Sequence, residues 1–245
     1  MSRRILFCAD VHLNPGDTAK TARFLRFLRM ARSEASHLYL LGDIFNLWIG
    51  WKHLRHGEYQ EIIAALRDLT GSGVAVFFVP GNHDFLVGRA FVRATGVKMM
   101  YYGGVVEMDA KRVYVSHGDY LCAMDKNSRR FIAVVRGFFG RCVIQPLFKT
   151  LPARTIFNLT GGFMGHSDRV KKHKKSNYFE IDLRAIRRIF ARKVDFIIAG
   201  HIHRRQKRDF LLRGAPKTLY TFDRWHNYAD YLEFSDGEFS QKSFD

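Results

Sequence analysis

Five short segments of the sequence combine aspartate, asparagine and histidine, and each of them follows an apolar run. They are Asp10-Val-His12, Gly42-Asp43, Gly81-Asn-His-Asp84, His117-Gly-Asp119 and Gly200-His-Ile-His203. Carboxylate, amide and imidazole side chains together suit divalent ions such as Mn²⁺, Fe²⁺ or Zn²⁺. Because alternate residues of an extended chain point to the same side, both polar members of the first and last segments can reach one site. The series predicts a metal site rather than isolated polar side chains.

The apolar runs before these segments predict the elements that position them. Residues 4–9, 37–41, 74–79 and 196–199 have the composition of buried strands, and 105–108, 112–115, 218–222 and 228–234 predict further strands. Apolar residues at helical spacing predict helices from about residue 18, over 58–69 and over 180–192. Alternating strands and helices predict an α/β fold, in which the carboxyl ends of parallel strands meet at one sheet edge.

Length and composition limit the class of protein. A chain of 245 residues that is 47% hydrophobic can form one large domain with an insertion. Three widely spaced cysteines predict a reduced protein without a disulfide framework or a CxxC zinc site. The apolar run at the N-terminus ends at Asp10, too early for a signal peptide, and no segment reaches the roughly 20 apolar residues of a membrane span. We therefore expect an intracellular protein.

The net charge of +17 is concentrated in one third of the chain. Residues 126–208 contain 21 of the 40 lysines and arginines but only four of the 23 acidic residues, so they carry the whole excess. From residue 129 to about 175, phenylalanines alternate with basic residues without strand periodicity, which predicts inserted helices. The charge predicts binding of an anion: nucleic acid, anionic lipid or a phosphorylated substrate. A solvated helical subdomain with its own phenylalanine core is the alternative.

The ordered series of motifs resembles the calcineurin-like metallophosphoesterase family, whose pattern is D-x-H, GD, GNH[DE], H and GHxH. The resemblance implies a sandwich of two mixed sheets flanked by helices, with residues 1–125 and 176–245 as the core and 126–175 as an inserted helical cap. It also implies two divalent metal ions that activate a bridging hydroxide. The implied ligands, from the first ion through the bridging carboxylate to the second, are Asp10, His12, His203, Asp43, Asn82, His117 and His201.

The same resemblance implies a catalytic role for His83 and Asp84. In the family, the histidine at this position contacts the phosphate and protonates the leaving oxygen, and the acidic residue after it orients its ring. Histidine titrates near neutral pH and can therefore donate that proton. A purely structural role, in which His83 only orients the ligands, is the alternative.

Two longer strings are similar to the UDP-2,3-diacylglucosamine pyrophosphohydrolases of lipid A biosynthesis, namely Gly42-Asp-Ile-Phe-Asn-Leu-Trp-Ile-Gly50 and His117-Gly-Asp-Tyr-Leu-Cys122. This resemblance implies Mn²⁺-dependent hydrolysis of UDP-2,3-diacylglucosamine to UMP and the acylated sugar 1-phosphate, and a closely related nucleoside-diphosphate lipid is the alternative substrate. It implies a cytoplasmic protein attached peripherally to the anionic surface of the inner membrane, and we expect that the protein is a monomer. The implied substrate contacts are Asn82, His83, Asp125, Ser167, Lys171, Lys174 and His201.

Two alternative functions, a phosphodiesterase and a non-catalytic scaffold, can be compared with the residues of the sequence. A phosphodiesterase for nucleotides or nucleic acid is favoured by the basic third and by His83, which stands where the lipid A enzymes have arginine. Against a nucleic-acid partner, the basic residues of the insertion are interleaved with phenylalanine and aliphatic residues, as on a lipid-facing surface. A non-catalytic scaffold is disfavoured because every ligand position of the motif series is filled.

Overall fold

The computed structural model describes residues 4–48, 50–54, 57–122, 134, 142–143, 145–152, 155 and 181–245. The strands are β1 (Arg4–Cys8), β2 (Ala35–Leu40), β3 (Ala75–Phe78), β4 (Lys98–Met99), β5 (Gly104–Met108), β6 (Lys111–Ser116), β7 (Phe196–Ala199), β8 (Gln206–Leu212), β9 (Ala215–Thr221), β10 (Ala229–Ser235) and β11 (Glu238–Phe244). The α-helices are α1 (Thr18–Glu34), α2 (Gln60–Gly71), α3 (Arg89–Thr95), α4 (Gln145–Thr150) and α5 (Leu183–Phe190).

The strands form two mixed sheets. The first has the order β11-β10-β1-β2-β3-β4, and the second has the order β5-β6-β7-β9-β8. β1, β2 and β3 are parallel to one another, as are β6, β7 and β9. The α/β fold with two mixed sheets is therefore confirmed.

Among the described residues, buried hydrophobic side chains form three clusters, which lie between the layers of the fold. Helices α1, α2 and α3 pack on the outer face of the first sheet, and α5 packs on the second sheet. The cluster between the sheets joins residues of both, among them Phe7, Tyr39, Val115 and Ile198. Successive residues of β1 alternate between the outer and the inner cluster, so both faces of the strand are buried. This explains why the central strands are continuous apolar runs.

Both long helices of the first layer begin and pack as their apolar spacing predicts. In α1 the side chain of Asp17 accepts a hydrogen bond from the backbone N–H of Lys20 at 3.0 Å, which caps the helix. One stripe of α1, which includes Phe24 and Phe27, is buried against the sheet. In α2 the buried stripe is Ile62, Ile63, Leu66 and Leu69.

Some elements differ from the sequence prediction. Helix α5 is shorter than the predicted 180–192. It begins at Leu183 because Asp182 caps its first turn by accepting from the N–H of Arg184 at 2.8 Å, and it ends at Phe190. Strands β4, β8 and β11 and helix α3 were not predicted. β4, β8 and β11 are edge strands, and the last two consist of partly buried and exposed residues instead of an apolar run.

The predicted insertion, residues 126–175, lies largely outside the described residues. Its described parts include helix α4 and the exposed apolar side chains of Val134, Val143 and Leu147. None of the described helices is long and apolar enough to cross a membrane.

Candidate metal centre

The five polar segments come together at one edge of the sandwich. They follow β1, β2, β3, β6 and β7, five strands from the parallel parts of the two sheets. Main-chain hydrogen bonds tie the first two segments to each other: the N–H of Asp10 donates to the carbonyl of Gly42 at 3.1 Å, and that of His12 donates to Asp43 at 2.8 Å. The structure thus brings together the ligand-type residues that the sequence places after separate strands.

Glycine permits this close approach at two positions. A Cβ added to Gly42 would lie 2.6 Å from Nδ1 of His117 and 2.7 Å from the backbone nitrogen of Gly81. One added to Gly81 would lie 2.1 Å from Oδ1 of Asp43. Real Cβ atoms do not approach other atoms this closely, so any side chain here would separate the segments.

The backbone of the candidate ligands is not extended, in contrast to the prediction. Asp10, His12, Asp43, His201 and His203 all have positive φ, between 51° and 71°. This left-handed conformation is unfavourable for residues other than glycine and persists only where the surrounding structure imposes it. The paired side chains reach one site through a left-handed backbone rather than through the alternation of a strand.

The first group of ligand-type side chains consists of Asp10, His12, Asp43 and His203, whose ligand atoms all lie within 4.8 Å of one another. Nε2 of His12 is 3.2 Å from Nε2 of His203, and the latter is 3.4 Å from Oδ1 of Asp10. Nε2 of His12 is also 3.7 Å from Oδ2 of Asp43. Burial lowers the pKa of His12 well below its usual value, so its ring is neutral and carries a lone pair.

The second group consists of Asp43, His117 and His201, and the side chain of Asn82 adjoins it. Nε2 of His117 is 3.6 Å from Oδ2 of Asp43, 3.1 Å from Oδ1 of Asn82 and 3.2 Å from Nδ1 of His201. The same Asn82 oxygen is 2.9 Å from Nδ1 of His201. Asp43 belongs to both groups, which is the arrangement that a bridging carboxylate requires.

The electrostatics of the second group favour a positive charge at Nε2 of His117. Its other ring nitrogen, Nδ1, donates to the carbonyl of Leu41 at 2.9 Å, which leaves Nε2 facing the group. Burial opposes protonation, but the carboxylates of Asp43, Asp10 and Asp119 outweigh it and raise the pKa of His117. The place that attracts a proton in the free protein is therefore suited to a metal cation, and the donor atoms around it are ones that divalent ions accept.

Asp43 is held in its ionised form. Burial alone would raise the pKa of this carboxyl, but the imidazoles of His117, His83 and His12 and the N–H of His83 hold it well below its usual range. The His83 N–H donates to Oδ1 at 2.9 Å, which leaves Oδ2 directed at the imidazoles of both groups. An ionised, shared carboxylate is what two adjacent cations would need.

His83 and Asp84 lie beside this centre, and the contact that orients the His83 ring differs from the one that the resemblance implies. Nδ1 of His83 donates to the carbonyl of Asn46 at 2.7 Å, so this carbonyl orients the ring, and Asp84 does not. The carboxylate of Asp84 instead accepts from the backbone N–H groups of Gly81 at 2.6 Å and Ile44 at 2.8 Å. It thereby joins the second segment to the third. Burial, followed by repulsion from Asp43, raises its pKa to about 7.

The main-chain partners Leu41 and Asn46 could not be found from the sequence, because any residue type supplies a carbonyl.

The centre opens to solvent on one side: the side chain of His203 is 23% exposed, whereas those of Asp10 and Asp43 are 0–1% exposed. Four predicted substrate contacts lie outside the described residues: Asp125, Ser167, Lys171 and Lys174.

Comparison with known proteins matches the chain to a family model and to relatives that cover nearly its full length. The family model described as "Calcineurin-like phosphoesterase" matches residues 3–205. The chain is 34% identical over 233 residues to the UDP-2,3-diacylglucosamine hydrolase of Serratia proteamaculans, with 94% of each chain covered. It is 33% identical over 242 residues to the UDP-2,3-diacylglucosamine hydrolase of Photorhabdus laumondii, with 98% of each covered.

Proposed function

The chain belongs to the calcineurin-like phosphoesterase family, and we propose that it is a hydrolase that cleaves the pyrophosphate of UDP-2,3-diacylglucosamine. Water adds to one phosphorus of the P–O–P bridge, which gives UMP and 2,3-diacylglucosamine 1-phosphate. One observation carries the proposal. The residues that the metallophosphoesterase motifs imply as ligands include two groups of donors, and these groups share Asp43. The near full-length similarity to hydrolases of this name supports the choice of substrate.

The ligand groups would hold two divalent ions, for which we propose Mn²⁺. Asp10, His12 and His203 would hold one, Asn82, His117 and His201 the other, and Asp43 would contact both. Such a pair of ions supplies an activated water and neutralises charge on the phosphoryl oxygens. The protein fixes the donors in advance, through main-chain hydrogen bonds between the segments and through a buried, ionised Asp43.

His83 is placed to act on the phosphate. Because its Nδ1–H is used by the carbonyl of Asn46, the remaining nitrogen, Nε2, faces the centre, 3.9 Å from Oδ2 of Asp43. We propose that this nitrogen binds a phosphate oxygen and, when protonated, donates a proton to the leaving oxygen. Asp84 acts on the backbone: it fixes the segments that carry Asp43 and Asn82.

We propose that residues 126–175 form a cap over the acyl chains and that Asp125, Ser167, Lys171 and Lys174 contact the sugar and phosphates. Exposed apolar side chains at Val134, Val143 and Leu147 support this assignment. The same basic and apolar segment suits peripheral attachment to an anionic membrane, which we place at the cytoplasmic face of the inner membrane. We propose that the protein acts as a monomer and has no nucleic-acid partner.

The test is release of UMP from UDP-2,3-diacylglucosamine in detergent, with and without Mn²⁺, on the wild type, Asp43→Ala and a control, Asp68→Ala. Asp68 is an exposed carboxylate of α2. We expect Mn²⁺-dependent release by the wild type and the control, and loss of bound metal and activity in Asp43→Ala. UMP release that survives removal of all metal would refute the proposed chemistry. Absence of release with Mn²⁺ present would refute the substrate.

A general phosphodiesterase is the second candidate, because His83 stands where the lipid A enzymes have arginine. A chromogenic phosphodiester assayed alongside distinguishes the two. Rapid cleavage of this ester without UMP release would favour the second candidate, and an affinity for nucleic acid that falls steeply with salt would identify a nuclease. If the position sets substrate choice, His83→Arg raises activity on UDP-diacylglucosamine relative to the chromogenic ester.

A further inference from the structure

We propose that a basic cleft beside the metal centre binds the nucleotide half of the substrate. The cleft is lined by Ile181, Ile202, Gln206 and four cationic residues, namely Arg204, Arg205, Lys207 and Arg208. The ligand class is a nucleoside monophosphate, the part of the substrate that leaves as UMP. This inference rests on the proposed function and adds to it the site of the leaving nucleotide.

The dimensions and lining of the cleft suit a small anion. Its volume is about 670 Å³, within the range of pockets that hold small molecules. Four of its described lining residues are cations, and none is acidic. Guanidinium groups bind phosphate through paired hydrogen bonds, so an arginine-rich wall favours a phosphate over a neutral sugar.

The segment that lines the cleft continues directly from two candidate metal ligands. Ile202 lies in the cleft wall, between the two candidate ligands His201 and His203. His203 is the partly exposed member of the first ligand group, and the chain passes from it directly to Arg204. In the proposal, a substrate whose phosphorus lies at the metal centre extends from His203 along this segment into the cleft.

Two contacts fix the segment that carries the cationic residues of the cleft, residues 204–208. The carbonyl of Arg204 accepts a hydrogen bond from Oγ1 of Thr221 at 2.6 Å. Nε of Arg205 lies 3.5 Å from Oδ1 of Asp230, a fully buried carboxyl, which fixes the direction of that guanidinium group. Within the part of the chain that the structure describes, no ion pair engages Lys207 or Arg208, and both are exposed. Their charges are available to a ligand.

The two halves of the substrate need opposite surroundings. The acyl chains require apolar surface, and the exposed apolar residues Val134 and Val143 lie in the insertion. The nucleotide is polar and carries the phosphate that becomes a dianion on hydrolysis. Since the described cleft wall is mainly cationic, it suits the nucleotide half and leaves the insertion to the acyl chains.

The test compares Lys207→Ala/Arg208→Ala with a control that removes the same charge elsewhere, Arg29→Ala/Arg32→Ala. Arg29 and Arg32 are exposed residues of α1, outside the cleft. Calorimetry measures UMP binding to the Mn²⁺-loaded proteins, and kinetics measure kcat and KM for UDP-diacylglucosamine and for a chromogenic phosphodiester. Circular dichroism verifies that each variant is folded, and the conservative variant Lys207→Arg/Arg208→Lys tests for rescue.

We expect the alanine pair in the cleft to weaken UMP binding at least tenfold and to raise KM for UDP-diacylglucosamine more than KM for the chromogenic ester. The conservative pair should bind UMP within about threefold of the wild type, and the α1 pair should match the wild type. Unchanged UMP affinity in the cleft variant, or equal weakening in the α1 variant, would overturn the inference. If the wild type binds UMP through the cleft but releases none from UDP-diacylglucosamine, the cleft assignment stands and the proposed substrate fails.

Discussion

Replacing Gly42 with alanine tests the close packing on which the metal centre depends. Gly42 has φ of +88° and lies between His117 and Gly81, where an added Cβ would be 2.6 Å and 2.7 Å from the nearest atoms. Gly16 has the same φ of +88°, but nothing lies within 4 Å of its added Cβ. The pair of variants Gly42→Ala and Gly16→Ala therefore separates the cost of backbone strain from the cost of steric overlap.

The expected magnitudes follow from these two terms. Forcing alanine into a left-handed conformation costs about 1–2 kcal/mol at either position. Overpacking adds about 1–3 kcal/mol at Gly42 only, because the backbone of Gly81 cannot move without displacing Asp43. We expect Gly16→Ala to lose about 1–2 kcal/mol and Gly42→Ala about 2–5 kcal/mol of unfolding free energy. Gly42→Ala should also bind less metal, since Asp43 and His117 both adjoin the added carbon.

Urea denaturation of the metal-free proteins measures the two losses, and metal titration followed by atomic emission spectrometry measures ion content. The reasoning is refuted if Gly42→Ala costs no more than Gly16→Ala, because the steric term would then be absent. It is equally refuted if Gly42→Ala is strongly destabilised yet retains full metal affinity in its folded fraction. In that case, the packing at Gly42 would not position the ligands.

Three further predictions concern groups outside the ligand set. Burial raises the pKa of Asp230 to about 6, so between pH 4 and 6 the wild type should lose about 3 kcal/mol of stability relative to Asp230→Asn, measured by urea denaturation with EDTA; parallel pH profiles of the two proteins would contradict this. Trp225 is fully buried against Phe24 and Phe27, and Trp225→Ala should cost about 3–5 kcal/mol in the same assay; a loss below 1 kcal/mol would exclude this packing. Of the three thiols, only the exposed Cys142 should react rapidly with Ellman's reagent in the native protein, and rapid reaction of a second thiol would contradict the burial of the others.

The sign of the Asp230 effect follows from linkage. In the folded protein this carboxyl holds its proton up to about pH 6, whereas in the unfolded chain it releases the proton near pH 4. Between these values the folded state binds more protons, so its stability falls as the pH rises. Above pH 6 both states are ionised, and the contribution of Asp230 becomes constant. EDTA keeps metal binding from adding a pH dependence of its own.

The sequence predicts an element correctly where its residue types alone determine its burial and the position at which it ends. β1 is a continuous apolar run because both of its faces are buried, and it ends where the chain must turn toward the site. The sequence does not predict β8 and β11, because an edge strand buries little and has no apolar run. Nor does it predict that Asn46 orients His83, because a main-chain carbonyl leaves no signal in the residue type.

The D-x-H and H-x-H motifs reveal how the fold sustains an unfavourable backbone. In each motif the two outer residues have positive φ, while the middle one, Val11 or Ile202, does not. These middle residues are β-branched, which suits negative φ, and they are buried in the clusters on the outer faces of the two sheets. The outer residues are aspartate and histidine, which are among the types that enter the left-handed region most often.

The middle and the outer residues of each motif therefore have different roles. The middle residue anchors the loop by burying an apolar side chain, and the outer residues turn back toward the metal centre. Each left-handed residue costs about 1–3 kcal/mol, so the four of them represent a substantial strain in the free protein. Buried anchors and hydrogen bonds between segments hold that strain in place, so the donors are already arranged when a cation arrives. Sequence periodicity alone predicts an extended segment here, because it does not register the φ of single residues.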